Sequence, residues 1–313
     1  MAMAGAMRNL TMSGRDWAIL LFLSVIWGGS FFFVGVAVGT VAPFTLVLIR
    51  VALAAAMLWL FLLARCERLA MPPGAASAFL VLALLNNVVP FVMFAWAQET
   101  IPSGLASILN ATTPIWGVVV AHFFTGDEKA TPARIAGVIL GFAGVAVMIG
   151  ADLLGQIGRD VLGQLACLVA TLCYALAGVY ARRFRTMGVP PVAVATGQLS
   201  AASLVMLPLV LIFEPPWRAA PPSLEAWAAL IALALFCTSL AYILYFRLLA
   251  SAGATNSLLV TFLIPITAIL LGALFLDERL ALRHFAGMAL IAAGLAAIDG
   301  RLLRRRVAPA ASA

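Results

Sequence analysis

The chain has 313 residues, of which 65% are hydrophobic and only 10% are charged, a balance that excludes an ordinary soluble domain. It predicts an integral membrane protein whose surroundings are the lipid bilayer. The formal net charge of +7 does not indicate a nucleic-acid partner, because most of it is explained by where the arginines lie relative to the bilayer.

Apolar runs of about 20 residues, the length of helix that crosses roughly 30 Å of hydrocarbon, alternate with charged or proline-rich segments. They predict an all-α membrane protein with ten transmembrane helices. The predicted spans are residues 17–39, 43–63, 75–97, 102–123, 133–150, 161–181, 191–213, 224–246, 253–275 and 281–299.

An even number of spans places both tails, residues 1–16 and 301–313, on the same side of the membrane. Most of the arginines and lysines fall in the tails and loops of that side. The positive-inside rule therefore predicts cytoplasmic termini and a multi-pass protein of a bacterial-type inner (plasma) membrane. The first apolar run lacks a small-residue cleavage pattern, so we expect it to remain as the first span.

Residues 102–150 and 253–300 repeat one another. Such agreement at a long period predicts a duplicated architecture. The predicted repeats are residues 17–150 and 161–300, and each holds an odd number of spans, so the second enters the membrane from the opposite side. Inverted repeats are typical of secondary transporters. The aligned pairs include Pro114 with Pro265, Asp127 with Asp277, Glu128 with Glu278, Lys129 with Arg279, and Gly144 with Gly294.

These paired residues, together with the segments 27–31 (WGGSF) and 43–50 (PFTLVLIR), resemble the EamA-type repeat of the drug/metabolite transporter superfamily. The resemblance implies a ten-helix carrier with cytoplasmic ends that exports or exchanges small metabolites. The length and the aromatic spans are similar to those of the amino-acid exporters, including the aromatic amino-acid exporters. Carriers of sugar nucleotides, nucleosides and cationic drugs belong to the same superfamily.

Arg50 is the one charged residue well inside a predicted span, whereas the acidic residues fall at span ends or in loops. The lack of an acid near the midplane disfavours cationic drugs as cargo. Two interpretations of Arg50 stay open: it binds a substrate carboxylate, or it is a structural tie to backbone carbonyls or to Glu99. Its counterpart in the second half, Gln198, is uncharged, which counts against phosphate-bearing substrates.

The third and eighth predicted spans carry matching polar and aromatic stripes at helical spacing. Two interpretations of the stripes stay open: their residues line a substrate cavity, or they form interhelical hydrogen bonds in a closed core. In both cases the polar groups are kept away from lipid. The stripe residues are Asn87, Phe91 and Phe94 in the third span and Thr238, Tyr242 and Tyr245 in the eighth.

Five further residues are candidates for substrate binding. Trp27 and Ser30 lie beside two glycines in the first span, Tyr174 lies at the matching place in the sixth, and Asn110 and Asn256 lie in the fourth and ninth. Prolines at the centres of the fourth and ninth spans predict helix kinks that free backbone carbonyls for a substrate ammonium, or that serve packing alone. These prolines are Pro114 and Pro265.

The fifth and tenth spans are rich in glycine and alanine, which suits close helix packing or a dimer contact, so either a monomer or a homodimer is expected. The four cysteines show no metal-ligand spacing, and no metal or cofactor is predicted. The sequence has no GxxxxGK[ST], HExxH or GxSxG motif, so we expect neither a nucleotide-driven pump nor an enzyme.

The combined pattern predicts a secondary, alternating-access transporter of small metabolites, in particular amino acids with apolar or aromatic side chains. One alternative is a carrier of another neutral metabolite, nucleoside or drug-like solute on the same fold. A second alternative is a membrane sensor that binds its ligand without transporting it.

Overall fold

A computed structural model describes residues 13–126, 131–149, 159–218, 220–252 and 260–299 of the chain. Within these ranges the regular secondary structure is helical and no residue lies in a β-strand. The prediction of an all-α protein is therefore confirmed for the described part.

Counted over the described ranges, ten helices lie close to the ten predicted spans. The beginning of the ninth predicted span, residues 253–259, lies outside the description. The helices are α1 (Gly14–Val38), α2 (Pro43–Ala64), α3 (Ala75–Ala97), α4 (Ser103–Phe124), α5 (Pro132–Ile149), α6 (Arg159–Thr186), α7 (Pro191–Phe213), α8 (Leu224–Ala234, Leu235–Leu240 and Ala241–Ala252 in succession), α9 (Val260–Phe275) and α10 (Leu282–Asp299).

In the described ranges, 7 helices are long and apolar enough to cross a membrane, and α5 and α9 contain the shorter apolar stretches Pro132–Val147 and Leu263–Phe275. The outward faces of the helices are apolar as well. Phe123 of α4 is 74% exposed and Leu204 of α7 is 73% exposed. Large apolar side chains presented in this way are suited to hydrocarbon rather than to water.

The first helix begins with a capping box, in which the Ser13 hydroxyl accepts from the Asp16 amide at 3.2 Å and Asp16 Oδ2 accepts from the Ser13 amide at 2.9 Å. Asp16 Oδ1 also accepts from the hydroxyl of Ser251, at the end of α8, at 2.6 Å. The start of α1 and the end of α8 therefore lie together at one end of the bundle.

The main contacts between the first five helices and the last five come in matched sets. Helix α1 packs against α8 and α9, and α6 packs against α3 and α4 in the same manner. Helix α2 packs against α7, and α5 packs against α10. These pairings are preserved when α1 to α5 are exchanged with α6 to α10.

The packing of α5 against α10 depends on glycines. A Cβ atom at Gly144 would lie 2.7 Å from the carbonyl oxygen of Gly287, and one at Gly294 would lie 2.5 Å from that of Gly137. Because the obstructing atoms belong to the backbone, only glycine permits this approach. These glycine faces meet within one chain, and the alternative of a homodimer through spans five and ten stays a prediction.

Candidate functional site

Helices α3 and α8 are each widened by one π-helical turn, Leu84–Val88 in α3 and Leu235–Leu240 in α8. The two turns fall at equivalent places in the two halves. A π turn takes a backbone carbonyl out of the α-helical hydrogen-bond pattern, and such turns are frequent at functional sites. In α8 the Leu233 carbonyl accepts from the hydroxyl of Thr238, five residues later, at 2.8 Å.

Arg50 lies about two turns into α2 and its side chain reaches both π-turn helices. It is 7% exposed. Its Nε donates to the hydroxyl oxygen of Thr238 at 3.0 Å, and its guanidinium carbon lies 3.8 Å from the centre of the Phe91 ring. The predicted structural ties to Glu99 or to backbone carbonyls are absent among the described residues, where Arg50 is held instead by a hydroxyl and an aromatic face.

A second group of polar side chains surrounds the hydroxyl of Tyr242. Asn86 Nδ2 donates to Gln198 Oε1 at 3.1 Å and to the Tyr242 hydroxyl oxygen at 3.2 Å. Asn87 Nδ2 donates to the same hydroxyl at 3.2 Å. Asn87 is 0% exposed, and its Oδ1 has no hydrogen-bond partner among the described residues. This group joins α3, α7 and α8.

Aromatic rings on α1 and α6 contact aromatic rings on α3 and α8. Trp27 of α1 lies 5.5 Å from Tyr245 of α8, measured between ring centres. Phe94 of α3 contacts Phe31 edge to face at 5.4 Å and stacks on Tyr174 of α6 at 6.2 Å. The rings thus connect α1 and α6 to the two helices that contain the π turns.

The structure brings most of the predicted binding residues into contact with one another. Ser30 is buried on α1, one turn beyond Trp27. Their role in binding a substrate stays a prediction, because the contacts show proximity and not a ligand. The contacting sets are Trp27 with Tyr245, Phe94 with Tyr174, Asn87 with Tyr242, and Arg50 with Phe91 and Thr238.

The remaining candidates are placed differently. Asn110 is half-buried on α4, and among the described residues no hydrogen bond joins its side chain to the groups above. Asn256 lies outside the described residues. Helix α4 is interrupted at residues 111–112, so Pro114 lies in the first turn of the second segment, Thr113–Phe124. Pro265 lies inside α9, which runs as one helix.

Two members of the site, Gln198 and Phe31, were not among the predicted binding residues, and Asn86 was expected only as a neighbour of the stripe that could serve either of its roles. Asn86 is adjacent to the predicted stripe, and the π turn carries it to the same side as Asn87. Gln198 was interpreted only as the uncharged counterpart of Arg50. Its position as an amide inside an apolar helix was the signal that it needs a partner, which the structure identifies as Asn86.

Two carboxylates cap helices that belong to the other half of the chain. Glu278, between α9 and α10, accepts from the backbone amides of Ser103 at 2.7 Å and Gly104 at 3.1 Å, at the start of α4. Glu214, at the end of α7, accepts from the amide of Thr45 at 2.7 Å and from its hydroxyl at 2.8 Å, at the start of α2. Both contacts satisfy amides that a helix leaves unpaired at its first turn.

Comparison with known proteins gives the same result for both halves of the chain. The model of the EamA-like transporter family matches residues 16–150 and again residues 161–298. The two matched segments together span most of the chain, and they contain the helices on which the site is built.

Individual relatives extend over most of the chain at low identity. The uncharacterized transporter YoaV of Bacillus subtilis (strain 168) is 23% identical over 294 residues, which cover 92% of this chain and 98% of that protein. The uncharacterized inner membrane transporter YedA of Escherichia coli (strain K12) is 27% identical over 259 residues, covering 81% of this chain and 80% of YedA.

A solved crystal structure shares the fold. It superimposes with a TM-score of 0.67 at 22% sequence identity and covers 95% of this chain and 100% of its own. At this identity the likeness concerns the arrangement of the helices alone.

Proposed function

This chain belongs to the EamA-like transporter family, and from that premise we propose that it is a secondary transporter exposing one central site to each side of an inner membrane in turn. The proposed cargo is a small zwitterionic metabolite, specifically an amino acid with an apolar or aromatic side chain, and the proposed direction is outward. The proposed mechanism is a rocking motion of two inverted repeats about that site.

The observation that carries the proposal is that polar side chains meet where the two halves touch. Arg50 of α2 binds Thr238 of α8, and Asn86 of α3 binds both Gln198 of α7 and Tyr242 of α8. Polar groups within a membrane bundle are costly, and they face the bundle interior or a water-filled path. Contacts across the boundary between the halves are also the contacts that a rocking motion would break and remake.

The matched helix contacts support the two-repeat mechanism. A pseudo-twofold arrangement requires that each contact of α1 with the second half have a counterpart made by α6 with the first half. The pairs of α1 with α8 and α9, and of α6 with α3 and α4, meet this requirement. The paired π turns of α3 and α8 meet it at the level of a single helical turn.

The composition of the site supports the proposed cargo. Apart from Arg50 and Thr238, the site consists of aromatic rings and neutral amides, which offer an apolar body a large contact area and offer a polar head hydrogen bonds. None of the acidic residues in the described ranges is hydrogen-bonded to Arg50, Asn86, Asn87 or Tyr242. A lipophilic cation would lack a charged partner there, whereas a zwitterion has a cationic one.

Counterflow in liposomes tests the proposal. Purified protein is reconstituted into vesicles preloaded with unlabelled phenylalanine, and entry of labelled phenylalanine is compared with that of labelled uridine and tetraphenylphosphonium, each with its own preload. We expect transient accumulation of phenylalanine only, relative to protein-free vesicles and to vesicles loaded with buffer. Exchange of uridine alone would identify a carrier of another neutral solute. Ligand binding without exchange of any compound would identify a sensor.

A further inference from the structure

The guanidinium of Arg50 is a buried positive charge without a negative partner in the described part of the chain. Its Nε donates a hydrogen bond to the hydroxyl oxygen of Thr238, and its two terminal nitrogens make no hydrogen bond with a described residue. Arg65, at the far end of the same helix, differs in that it is exposed and pairs with Glu67. A buried arginine is ordinarily paired, because an uncompensated charge costs several kcal/mol in a low-dielectric interior.

Two acidic residues that lie near the ends of the site helices are already engaged. Glu214 binds the first turn of α2, and Glu278 binds the first turn of α4. Neither carboxylate is available to Arg50 while it holds those backbone amides. None of the acidic residues in the described ranges pairs with Arg50, which leaves a bound solute as a source of the balancing negative charge.

The contacts of Arg50 hold its side chain in place but leave the N–H groups of its two terminal nitrogens without a hydrogen-bond partner among the described residues. The Thr238 hydroxyl donates its hydrogen to the Leu233 carbonyl, so its oxygen can only accept from Nε. The Phe91 ring covers one face of the guanidinium. Of the five N–H donors of an arginine, this leaves those of the terminal nitrogens, which have the planar geometry that matches a carboxylate.

Groups near Arg50 complete a site for a zwitterion. Tyr242 follows Thr238 by four residues on α8, and Asn87 precedes Phe91 by four residues on α3, so each lies about one helical turn from a residue that contacts Arg50. The hydroxyl of Tyr242 accepts from Asn87 Nδ2, and the buried Oδ1 of Asn87 lacks a partner among the described residues. An acceptor of this kind suits an ammonium group beside a carboxylate.

We propose that the terminal nitrogens of Arg50 bind the carboxylate of the transported solute, so that the carrier selects singly charged carboxylates over amines, amides and nucleosides. This inference rests on the proposed transport function and names the head group that the site recognises. A single fixed cation balances one negative charge, and for that reason a phosphate monoester is a poor match.

Binding to purified full-length protein, measured by calorimetry, tests the inference with ligands that differ in one group. The ligands are phenylalanine, phenylalaninamide, 3-phenylpropionate and phenyl phosphate. We expect phenylalanine and 3-phenylpropionate to bind at least about tenfold more tightly than phenylalaninamide and phenyl phosphate, since a charge-assisted bidentate contact is lost without the carboxylate.

Three variants connect this preference to Arg50. Arg50→Gln should remove the preference for carboxylates, and Arg50→Lys should retain part of it, because lysine keeps the charge but lacks the planar fork. Arg65→Gln is the matched control, since Arg65 is exposed at the end of the same helix; it should keep the full preference. A purely structural Arg50 would change stability without changing the ratio between acid and amide.

Equal binding of phenylalanine and its amide to the wild-type protein would overturn the inference without any variant, as would a full preference retained in Arg50→Gln. Absence of binding by both carboxylates would overturn it too. Loss of the preference in Arg50→Gln, with 3-phenylpropionate bound and no amino-acid counterflow, would uphold Arg50 and reject the proposed cargo. Counterflow of phenylalanine with equal binding of its amide would uphold the transport function and reject Arg50 as the residue that binds the carboxylate.

Discussion

Glu278 supplies the N-terminal cap of a helix that begins at Ser103. Its Oε1 accepts from the Ser103 amide at 2.7 Å, and its Oε2 accepts from the Ser103 hydroxyl at 2.9 Å. The residue at the N-cap position of α4 is Pro102, which has no side-chain oxygen for this purpose. Because Glu278 belongs to the α9–α10 loop and Ser103 to α4, the cap also joins the two halves of the chain.

Replacing Glu278 by glutamine should destabilise the protein by about 1–2 kcal/mol, because a neutral amide is a weaker acceptor and interacts less with the helix dipole. Thermal unfolding in detergent measures the effect. Glu99→Gln is the matched control, since Glu99 is an exposed acid in the loop directly before α4. Equal melting temperatures for the two variants would show that the cap contributes nothing to this arrangement of the helices.

The positions of the helices could be predicted because each span is a long apolar run, and the stripe on α3 and α8 because polar groups stand out in such runs. Asn87, Phe91 and Tyr242 were identified in this way. Helical periodicity was enough to place them on one side of their helices.

The π turns and the helix caps that join the two halves of the chain could not be predicted from local sequence. A π turn differs from an α turn by one residue, and residues such as Leu84 or Leu235 have no marked preference between them; tertiary packing decides. The partners of Glu278 and Gln198 lie far away in sequence at Ser103 and Asn86. No local pattern within a single sequence encodes contacts at that separation.

The close approach of α5 and α10 predicts that Gly144→Ala is destabilising. The added Cβ would meet the carbonyl oxygen of Gly287 at 2.7 Å, so the helices must separate, at an expected cost of about 1–3 kcal/mol. Gly178→Ala is the control, because nothing lies within 4 Å of a Cβ there and alanine favours a helix. The melting temperature in detergent should fall for the first variant and stay level or rise for the second. A fall of similar size in both would reject close packing as the cause.

The contact between Trp27 and Tyr245 predicts a role for the indole ring in binding the side chain of the substrate. Trp27→Leu should weaken binding of phenylalanine roughly tenfold relative to alanine, because a large aromatic surface is lost. Trp17→Leu changes a tryptophan of the same helix that is 46% exposed, and it should leave this ratio unchanged. Calorimetric titration of both amino acids gives the ratio. An unchanged ratio in Trp27→Leu would mean that the ring packs against Tyr245 without touching the cargo.

The hydroxyl of Tyr242 predicts a difference between two chemically identical substitutions on one helix. It accepts from Asn86 and Asn87, and Asn87 Nδ2 has no second partner in the described ranges. Tyr242→Phe should therefore leave a buried donor unpaired and destabilise the protein by about 1–3 kcal/mol. Tyr245→Phe removes a hydroxyl that makes no hydrogen bond with a described residue, and it should be close to neutral. Thermal unfolding of the two variants side by side distinguishes the cases, because equal losses would mean that the amides of α3 find other partners when the hydroxyl is gone.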